Sequence, residues 1–205
     1  MNLTAVILCG GKGTRLHPVI GDSLPKCLAP VMGRPFLSYV LDHLKSQGIE
    51  NVVLCCQRKD VEYFRFVLTD PERIFPCWED EYLGTVGALK NAFPLIDSDP
   101  VLVLNGDTFC PFDLLSLMMA YKQNGFTSDC GSVEVRSGSS PVGVGIYLID
   151  KEIIEGLDSS LPLEKALWMD KENTKMFLTS KPFLDIGTPE GYKKAEQFLR
   201  EVIGG

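Results

Sequence analysis

A glycine-rich segment near the start of the chain has the residue types needed to hold a phosphate. Its sequence is GGKGTRL, residues 10–16, and it follows directly on an apolar run at residues 5–9. Closely spaced glycines let a backbone turn sharply and bring several N–H groups to one anion, and the forked guanidinium of Arg15 suits phosphate oxygens. Two common phosphate motifs do not fit, because Val6 stands where a P-loop needs its first glycine and Leu16 where a dinucleotide fingerprint needs its last. By itself the segment is equally compatible with a plain tight turn.

Apolar runs and helical patterns alternate along the chain, and this alternation predicts the elements that would position the loop. The runs at residues 5–9, 51–56 and 101–104 are typical of strands buried on both faces. Helical spacing occurs at residues 36–47, 84–93, 112–123, 163–169 and 189–202, and further strand-like stretches at 132–135, 142–149 and 174–178. We therefore expect an α/β fold with a mostly parallel sheet covered on both faces. Ligands of such sheets bind beyond the carboxyl ends of the strands, which here means the loops after Cys9 and Leu104.

Composition limits the class of protein. A length of 205 residues predicts a single domain, residues 1–205. The net charge of −7 argues against binding nucleic acid or an anionic membrane through bulk charge, so a phosphorylated substrate would need a local cationic site. No apolar run reaches the roughly 18 residues of a membrane span, and the first residues lack the basic start of a secretory signal. Seven cysteines without a CxxC pair, mostly in apolar surroundings, favour buried reduced thiols in a cytoplasmic protein.

Four sequence blocks in a fixed order resemble those of the sugar-1-phosphate nucleotidyltransferases, also called nucleotide-sugar pyrophosphorylases. The first is the glycine loop followed by PKCLAPVMGRPFL at residues 25–37, which looks most like the guanylyltransferases that act on D-glycero-D-manno-heptose 1-phosphate. The second, EYLGTVGA at residues 81–88, is similar to the family's EPLGTGGA, with Tyr82 in place of proline and Val86 in place of glycine. The third and fourth are NGDT at residues 105–108 and DIGTPE at residues 185–190.

The resemblance implies a fold and a reaction. The fold is a Rossmann-like three-layer α/β/α arrangement with a mixed, mostly parallel central sheet. Its nucleotide-binding half would cover about residues 1–110, and its sugar-phosphate-binding half about residues 111–205. The reaction joins an NTP and a sugar 1-phosphate to give an NDP-sugar and pyrophosphate. The attacking phosphate is already an anion near neutral pH, so no general base is needed, and we expect His17 and His43 to be structural or solvent-facing.

The resemblance also assigns roles to individual residues. Arg15, Lys26 and Asp107 would be catalytic, and Mg²⁺ would be held by Asp107 and Asp185. The nucleotide would contact a set drawn from the first three blocks: Leu8, Gly10, Gly11, Gly13, Thr14, Arg15, Lys26, Glu81, Gly84, Thr85, Asn105 and Gly106. The sugar phosphate would contact Gly131, Gly145 and Glu164. Lys12 falls at a variable position of the family and receives no role.

The acceptor half departs from the family pattern. An F-x-E-K block, whose lysine grips the sugar phosphate in the family, is absent, and Gly143 stands where the family has asparagine. Two interpretations are open. The protein lacks this hairpin and binds a sugar phosphate differently, or does not turn it over. Alternatively, the sequence omits mobile segments, near residues 127–129 and between Val135 and Arg136, and an intact mass above 22.7 kDa would then show them.

Competing functions differ in substrate or in class. Within the family, the pair could be mannose 1-phosphate with GTP, or glucose 1-phosphate with dTTP, UTP or CTP. A protein of another class would be a non-catalytic regulatory subunit that binds nucleotide sugars, yet the metal and phosphate residues that it would be expected to lose are all present. The expected partners are small molecules, a homo-oligomer being possible, and neither nucleic acid nor a membrane is expected.

Overall fold

The computed structural model describes residues 3–70, 73–123, 130–137, 140–169 and 174–204. The strands are β1 (Thr4–Leu8), β2 (Pro30–Val31), β3 (Arg34–Pro35), β4 (Asn51–Gln57), β5 (Ile74–Glu79), β6 (Val101–Asn105), β7 (Thr108–Phe109), β8 (Cys130–Ser137), β9 (Ser140–Ile149), β10 (Thr174–Thr179) and β11 (Leu184–Asp185). The α-helices are α1 (His17–Ile20), α2 (Phe36–Ser46), α3 (Val61–Phe64), α4 (Gly84–Asn91), α5 (Leu114–Gln123), α6 (Lys151–Gly156), α7 (Leu163–Met169) and α8 (Pro189–Ile203). Short 3₁₀ turns lie at Lys26–Leu28, Arg58–Asp60 and Phe93–Leu95.

Seven of these strands form one sheet in the order β10-β8-β9-β6-β1-β4-β5. Within it β4, β5 and β6 join β1 in a parallel arrangement, and β10 runs parallel to β8. Both pairs that include β9 are antiparallel. The sheet is therefore mixed but mostly parallel, with the reversal confined to β9 among the described strands.

Helices cover both faces of the sheet because its central strands are apolar on both sides. Ala5 and Ile7 of β1 pack into a core shared with α2, α5 and α8, whereas Val6 and Leu8 pack into a second core shared with α4, α6 and α7. The predicted three-layer α/β/α fold is confirmed. No helix in the described ranges combines the length and the apolar character needed to cross a membrane.

Several short or irregular elements are not predicted from the sequence, among them β5 and α6. The strand β5 lies at the edge of the sheet, and only two of its six residues are buried, so it shows no continuous apolar run. It also contains Pro76, a residue that sheets tolerate at an edge. The helix α6 has six residues, too few for a clear helical period.

A small antiparallel ribbon, outside the main sheet, brings two distant segments together. Leu184 and Asp185 of β11 lie opposite Phe109 and Thr108 of β7, and the N–H of Ile186 donates to the Asp107 carbonyl at 2.9 Å. The chain then enters α8. The ribbon therefore brings the segment of Asp185 against the loop that carries Asp107.

The acceptor-half region is a pair of long strands as far as it is described. The strand β8 continues without interruption through Val135 and Arg136 and pairs with β9. The predicted stretch at residues 132–135 is thus part of a longer strand. Residues 127–129, the other place of a suggested omission, lie outside the described residues.

Six of the thiols and one of the histidines are packed inside the fold. Cys9, Cys27, Cys55, Cys56, Cys77 and Cys110 are free and buried, which confirms the prediction for these six; the side chain of Cys130 lies outside the described part of the chain. His43 Nε2 lies 3.0 Å from the Phe112 carbonyl, and burial lowers the pKa of this imidazole. His43 is accordingly a packing residue between α2 and the loop before α5.

Candidate functional site

A cleft of about 440 Å³ lies at the carboxyl ends of β1, β5 and β6. Most of the residues predicted from the sequence line it: Leu8, Gly10, Gly11, Gly13, Thr14, Arg15, Lys26, Gly84, Thr85, Asn105, Asp107, Glu164 and Asp185. The cleft is thus built by loops that follow parallel strands, where an α/β sheet binds its ligands. Four predicted residues are not part of its lining: Glu81, Gly106, Gly131 and Gly145.

The glycine loop approaches its neighbours so closely that side chains on the glycines would crowd them. A Cβ on Gly10 would lie 3.2 Å from both carboxylate oxygens of Glu79, and one on Gly11 would lie 3.2 Å from Cε of Lys26. Gly13 has a φ of +64°, a conformation that favours glycine, and its carbonyl accepts from the Leu16 N–H at 2.8 Å. The loop therefore exposes backbone to the cleft, which the side chain of Arg15 also lines.

Lys26 and Asp107 form an ion pair inside the cleft. The Lys26 Nζ lies 2.5 Å from Asp107 Oδ2, and the two side chains are 21% and 9% exposed. A charged hydrogen bond this well shielded from water is stronger than one at the surface. The ammonium compensates for the charge of a carboxylate that the fold holds away from solvent.

Three predicted side chains meet around Gly187. A Cβ on this glycine would lie 2.8 Å from Asp107 Oδ2, 2.8 Å from Asp185 Oδ1 and 3.4 Å from an Arg15 guanidinium nitrogen. The N–H of Gly187 donates to Asp185 Oδ1 at 2.6 Å. Burial, and secondarily the charge of Asp107, raise the pKa of the Asp185 carboxyl. Two carboxylates and a guanidinium thus surround a position that only a residue without a side chain leaves open.

This arrangement fits a hard divalent cation. Two carboxylates that repel each other gain most from a bound cation, and Mg²⁺ uses one or two protein carboxylates and leaves its other positions to water and phosphate oxygens. The described residues contain no group of three or more His, Cys, Asp or Glu side chains arranged to hold a metal ion. A metal at Asp107 and Asp185 would therefore keep most of its coordination positions for a substrate.

A buried carboxylate that the sequence analysis did not select also faces the cleft. Glu79 ends β5 and is 3% exposed. Its Oε2 accepts from Gln57 Nε2 at 2.9 Å, while Oε1 has no hydrogen-bond partner among the described residues. Burial raises the pKa of this carboxyl, opposed by hydrogen bonds from the Leu83 backbone and from Gln57. Glu81, two residues later, is the residue predicted from the sequence; it is exposed and does not line the cleft. Prediction of β5 would have pointed to Glu79, since it is the residue at the carboxyl end of that strand.

The opposite wall of the cleft joins β6, β9 and α7. Asn105 Nδ2 donates to Glu164 Oε1 at 3.4 Å. Gly145 has a φ of +67°, and a Cβ there would lie 2.2 Å from the Asn105 amide. Gly145 therefore leaves the space that Asn105 occupies, even though it does not line the cleft itself.

Thr85 lines the cleft and also ties two helices together, whereas Gly106 lies behind the lining and Gly131 lies away from it. Thr85 Oγ1 accepts from the Leu163 N–H at 2.7 Å and so ties the start of α4 to the start of α7. A Cβ on Gly106 would lie 2.8 Å from the Cys9 sulfur, so this glycine allows close packing behind the lining. Gly131 lies in β8 opposite Leu148, in the outer part of the sheet.

Comparison with known proteins gives matches over nearly the full chain. Residues 5–157 match the family model described as MobA-like NTP transferase domain. The D-glycero-α-D-manno-heptose 1-phosphate guanylyltransferase of Campylobacter jejuni is 33% identical, with 93% of this chain and 97% of that protein aligned. The enzyme of the same name from Aneurinibacillus thermoaerophilus is 30% identical, with 98% and 100% aligned. These alignments span 217 and 232 positions against 205 residues here, so both relatives contain residues with no counterpart in this chain.

Solved structures show the same architecture. The structure of HddC from Yersinia pseudotuberculosis complexed with GMP-PN superposes with a TM-score of 0.77 at 30% identity, covering 96% of this chain and 99% of that one. A putative glucose-1-phosphate thymidylyltransferase from Bacillus anthracis superposes with a TM-score of 0.82 at 18% identity, covering 97% and 96%. The second likeness concerns the fold alone.

Proposed function

Since the chain belongs to the family of MobA-like NTP transferase domains and is a nucleotidyltransferase, we propose that it transfers a guanylyl group from GTP to D-glycero-α-D-manno-heptose 1-phosphate. A phosphate oxygen of the sugar attacks the α-phosphorus, a new P–O bond forms, and the bond between the α-phosphorus and the oxygen leading to the β-phosphate breaks. The products are the GDP-sugar and pyrophosphate. The observation that carries this proposal is the meeting of Arg15, Asp107 and Asp185 around Gly187 in the cleft.

The residues of the cleft would act by positioning and by stabilising charge. The backbone of residues 10–13 and the guanidinium of Arg15 would hold the triphosphate and the departing pyrophosphate. Lys26 would leave part of its interaction with Asp107 to stabilise the negative charge that develops around the α-phosphate. Phosphoryl-type transfer depends mainly on such alignment and electrostatic stabilisation.

Asp107 and Asp185 would hold a divalent metal, which we propose to be Mg²⁺. NTP transferases of this family generally use a divalent metal. When bound, the ion would neutralise phosphate charge and orient the reacting groups. Each carboxylate has a donor that orients it: the Lys26 ammonium for Asp107 and the Gly187 N–H for Asp185.

Glu79 would select the base. Its Oε1 is a buried acceptor without a described partner, and an ionised carboxylate only accepts hydrogen bonds. Guanine presents two adjacent donors on one edge, N1–H and the N2 amino group, whereas uracil and thymine present a single donor between two carbonyl acceptors. Both donors of guanine can pair with one carboxylate, whereas the carbonyl oxygens on either side of the single donor of uracil or thymine would be repelled by it. Glu79 would therefore favour GTP over UTP and dTTP.

The acceptor would lie against the wall formed by Asn105 and Glu164. Glu164 Oε1 accepts a long hydrogen bond from Asn105 at 3.4 Å, so its carboxylate retains acceptor capacity for sugar hydroxyls. Gly145 would help by keeping Asn105 in place, and Gly131 remains a predicted contact. The choice of heptose follows from the names of the relatives aligned over nearly their full length.

Other assignments keep the chemistry and change the substrates. Mannose 1-phosphate with GTP, and glucose 1-phosphate with dTTP, UTP or CTP, are the alternatives within the reaction class. A non-catalytic regulatory subunit is less well supported, because Arg15, Lys26, Asp107 and Asp185 all line the same cleft. We further propose a cytoplasmic location, where the nucleotide and sugar phosphate are available.

Pyrophosphate release tests the function directly. Common NTPs are assayed with Mg²⁺ against a panel of sugar 1-phosphates that includes heptose and mannose. We expect release with GTP and D-glycero-D-manno-heptose 1-phosphate. Release with another pair would correct the specificity and keep the reaction, whereas no release with any pair, from protein of 22.7 kDa, would favour the regulatory subunit.

A further inference from the structure

Lys12 and Tyr82 form a bridge across the mouth of the cleft. The Lys12 Nζ lies 5.1 Å from the centroid of the Tyr82 ring, and both residues line the cleft. Lys12 belongs to the glycine loop after β1, and Tyr82 to the turn between β5 and α4. The Lys12–Tyr82 bridge therefore connects the loop proposed to hold phosphates with the turn beside the proposed base site.

The ammonium of Lys12 is a cation with a weak partner. Across the described part of the chain Lys12 forms no ion pair, and its ammonium lies against the Tyr82 ring. The cation–π attraction at an exposed ring is modest, and Tyr82 is 51% exposed. A phosphate oxygen offers a charged acceptor and a stronger interaction. Lys12 would therefore exchange the ring for a phosphate that entered the cleft.

The other two cations of the cleft lie near carboxylates. Lys26 is paired with Asp107, and Arg15 lies beside the two carboxylates around Gly187. The chain as a whole carries a charge of −7, so it supplies no general attraction for a triphosphate. Nearby carboxylates offset part of the positive charge of Lys26 and Arg15. A third cation at the cleft mouth would add positive charge for the phosphates.

A smaller cavity of about 110 Å³ lies on the other side of the bridge and shares Gly10, Gly11, Lys12 and Tyr82 with the cleft. Its other charged residues include Lys59, Asp22 and Asp60. Because carboxylates balance the cations there, this cavity has no clear preference for an anion. We accordingly expect Lys12 to bind an anion in the main cleft and not in this cavity.

We propose that Lys12 is a third cation for the nucleoside triphosphate. The Tyr82 ring holds the Lys12 ammonium at the cleft mouth until a nucleotide binds, and the ammonium then leaves the ring and contacts the β- and γ-phosphates. Lys12 contacts the part of the substrate that leaves as pyrophosphate, and Tyr82 is a positioning residue. The inference rests on the proposed function, since it requires a nucleoside triphosphate in the cleft, but it does not depend on the base or on the sugar.

Binding measurements with GTP and GMP separate this role from a structural one. Calorimetry is carried out with Mg²⁺ and without sugar phosphate, so that no turnover occurs, on the wild type and on Lys12→Met, Lys12→Arg, Tyr82→Leu and Tyr82→Phe. We expect Lys12→Met to weaken GTP by about five- to tenfold and to leave GMP within about twofold. Lys12→Arg and Tyr82→Phe should remain close to the wild type, and Tyr82→Leu should weaken GTP by about two- to threefold. Lys45→Met, an exposed lysine on α2 outside the cleft, controls for the change in net charge.

Steady-state kinetics give a second readout. Lys12→Met should raise the KM for GTP and leave the KM for the sugar phosphate unchanged. An equal loss of GTP and GMP affinity would mean that Lys12 only supports the loop, and no loss would mean that it stays on the ring; either result overturns the inference. Wild-type binding of another NTP in place of GTP would correct the base assignment alone, and the same comparison would then use that NTP and its monophosphate. Failure of the wild type to bind any NTP would overturn the inference together with the proposed function.

Discussion

Asp107 holds the most connected position among the residues of the cleft. It pairs with Lys26 at 2.5 Å and lies beside Asp185 around Gly187. Asp107→Asn keeps the shape of the side chain but removes the charge that the metal and the ammonium both require. We expect pyrophosphate release to fall by about 100-fold or more while the protein stays folded. The assay uses saturating Mg²⁺ and substrates, with a thermal melt to verify folding.

The control for this variant is Asp42→Asn on α2, which removes an exposed ion pair with Arg34. Exposed pairs contribute little to stability, about 0–1 kcal/mol, so turnover should be unchanged. Full activity of the Asp107 variant would remove the metal assignment.

Glu79 gives a second prediction, with Glu81 as a matched control two residues away. Glu79→Gln replaces an acceptor by an amide, and we expect kcat/KM for GTP to fall by about 10- to 100-fold, the equivalent of about 1.5–3 kcal/mol for a charged hydrogen bond. Glu81→Gln changes an exposed side chain outside the cleft and should change kcat/KM by less than about twofold. If Glu81→Gln produced the larger loss, the base site would have to be moved to that residue.

The same substitution should change stability in a pH-dependent way. Because burial raises the pKa of the Glu79 carboxyl, the folded chain without nucleotide binds this proton more tightly than the unfolded chain does. The ionised carboxylate therefore costs stability above the folded-state pKa, and the cost vanishes below the ordinary value of about 4.3. Glu79→Gln should raise the Tm at pH 7, with a gain that shrinks towards pH 4. A gain that is constant with pH would show that the charge is not its cause.

Residues predicted from the sequence lie together in the cleft where several constraints on the sequence coincide. Gly10, Arg15 and Asp107 stand in recognisable blocks that follow apolar runs, and the structure places all three at the cleft. Glu79 was not predicted, because the neighbouring EYLGTVGA block departs from the family's EPLGTGGA and because β5 has no continuous apolar run. Which of two nearby carboxylates is buried depends on the path of a turn, and a single sequence does not record that path.

At the scale of elements, the β7–β11 ribbon and the turn into α8 decide whether the carboxylates meet. Gly187→Ala would place a Cβ 2.8 Å from an oxygen of each aspartate. Those carboxylates can move apart without unfolding the protein, so we expect turnover to fall by about 100-fold with little change in Tm. Pyrophosphate release and a thermal melt on the same preparation measure both quantities.

Gly156→Ala at the end of α6 is the matched control, because a Cβ there would meet nothing within 4 Å. It should match the wild type in turnover. Wild-type activity of the Gly187 variant would mean that the spacing of the two carboxylates does not govern the reaction.

Elements were predictable where the apolar pattern was long and regular. The helix α7 was predicted with the bounds that the structure shows, Leu163–Met169, and β1 and β4 were each predicted to within one residue at either end. The ribbon was not predictable, since two-residue strands carry no periodicity. Its pairing depends on a contact between segments almost eighty positions apart, and local sequence carries no signal for such a contact.

At the scale of the whole molecule, the two cores enclose the thiols on both faces of the sheet. Cys55 and Cys77 lie in one core, and Cys9, Cys27 and Cys56 in the other. Burial contributes to raising the pKa of Cys9 and Cys27 well above the usual range and that of Cys56 to about 11. All six described thiols are buried, and a disulfide reagent reacts only with a thiolate that it can reach. We therefore expect these six cysteines to react with a reagent such as DTNB only after unfolding.

The measurement compares native protein with protein in guanidinium chloride. All seven thiols should react in denaturant, and at most one should react rapidly in the native state. Rapid reaction of two or more native thiols would contradict the burial of the cores.

The antiparallel strand β9 affects how the sequence and substrate of such a chain can change during evolution. β9 joins β8 and β10 to the parallel strands, and the described contact between Gly145 and Asn105 lies across that junction. Lengthening or shortening the outer strands therefore leaves β1, β4 and β5, and the loops that follow them, with the same neighbours. Under the proposed assignment, recognition of a new acceptor would be remodelled on one side of this seam, while the residues proposed to bind the nucleotide would be inherited unchanged on the other.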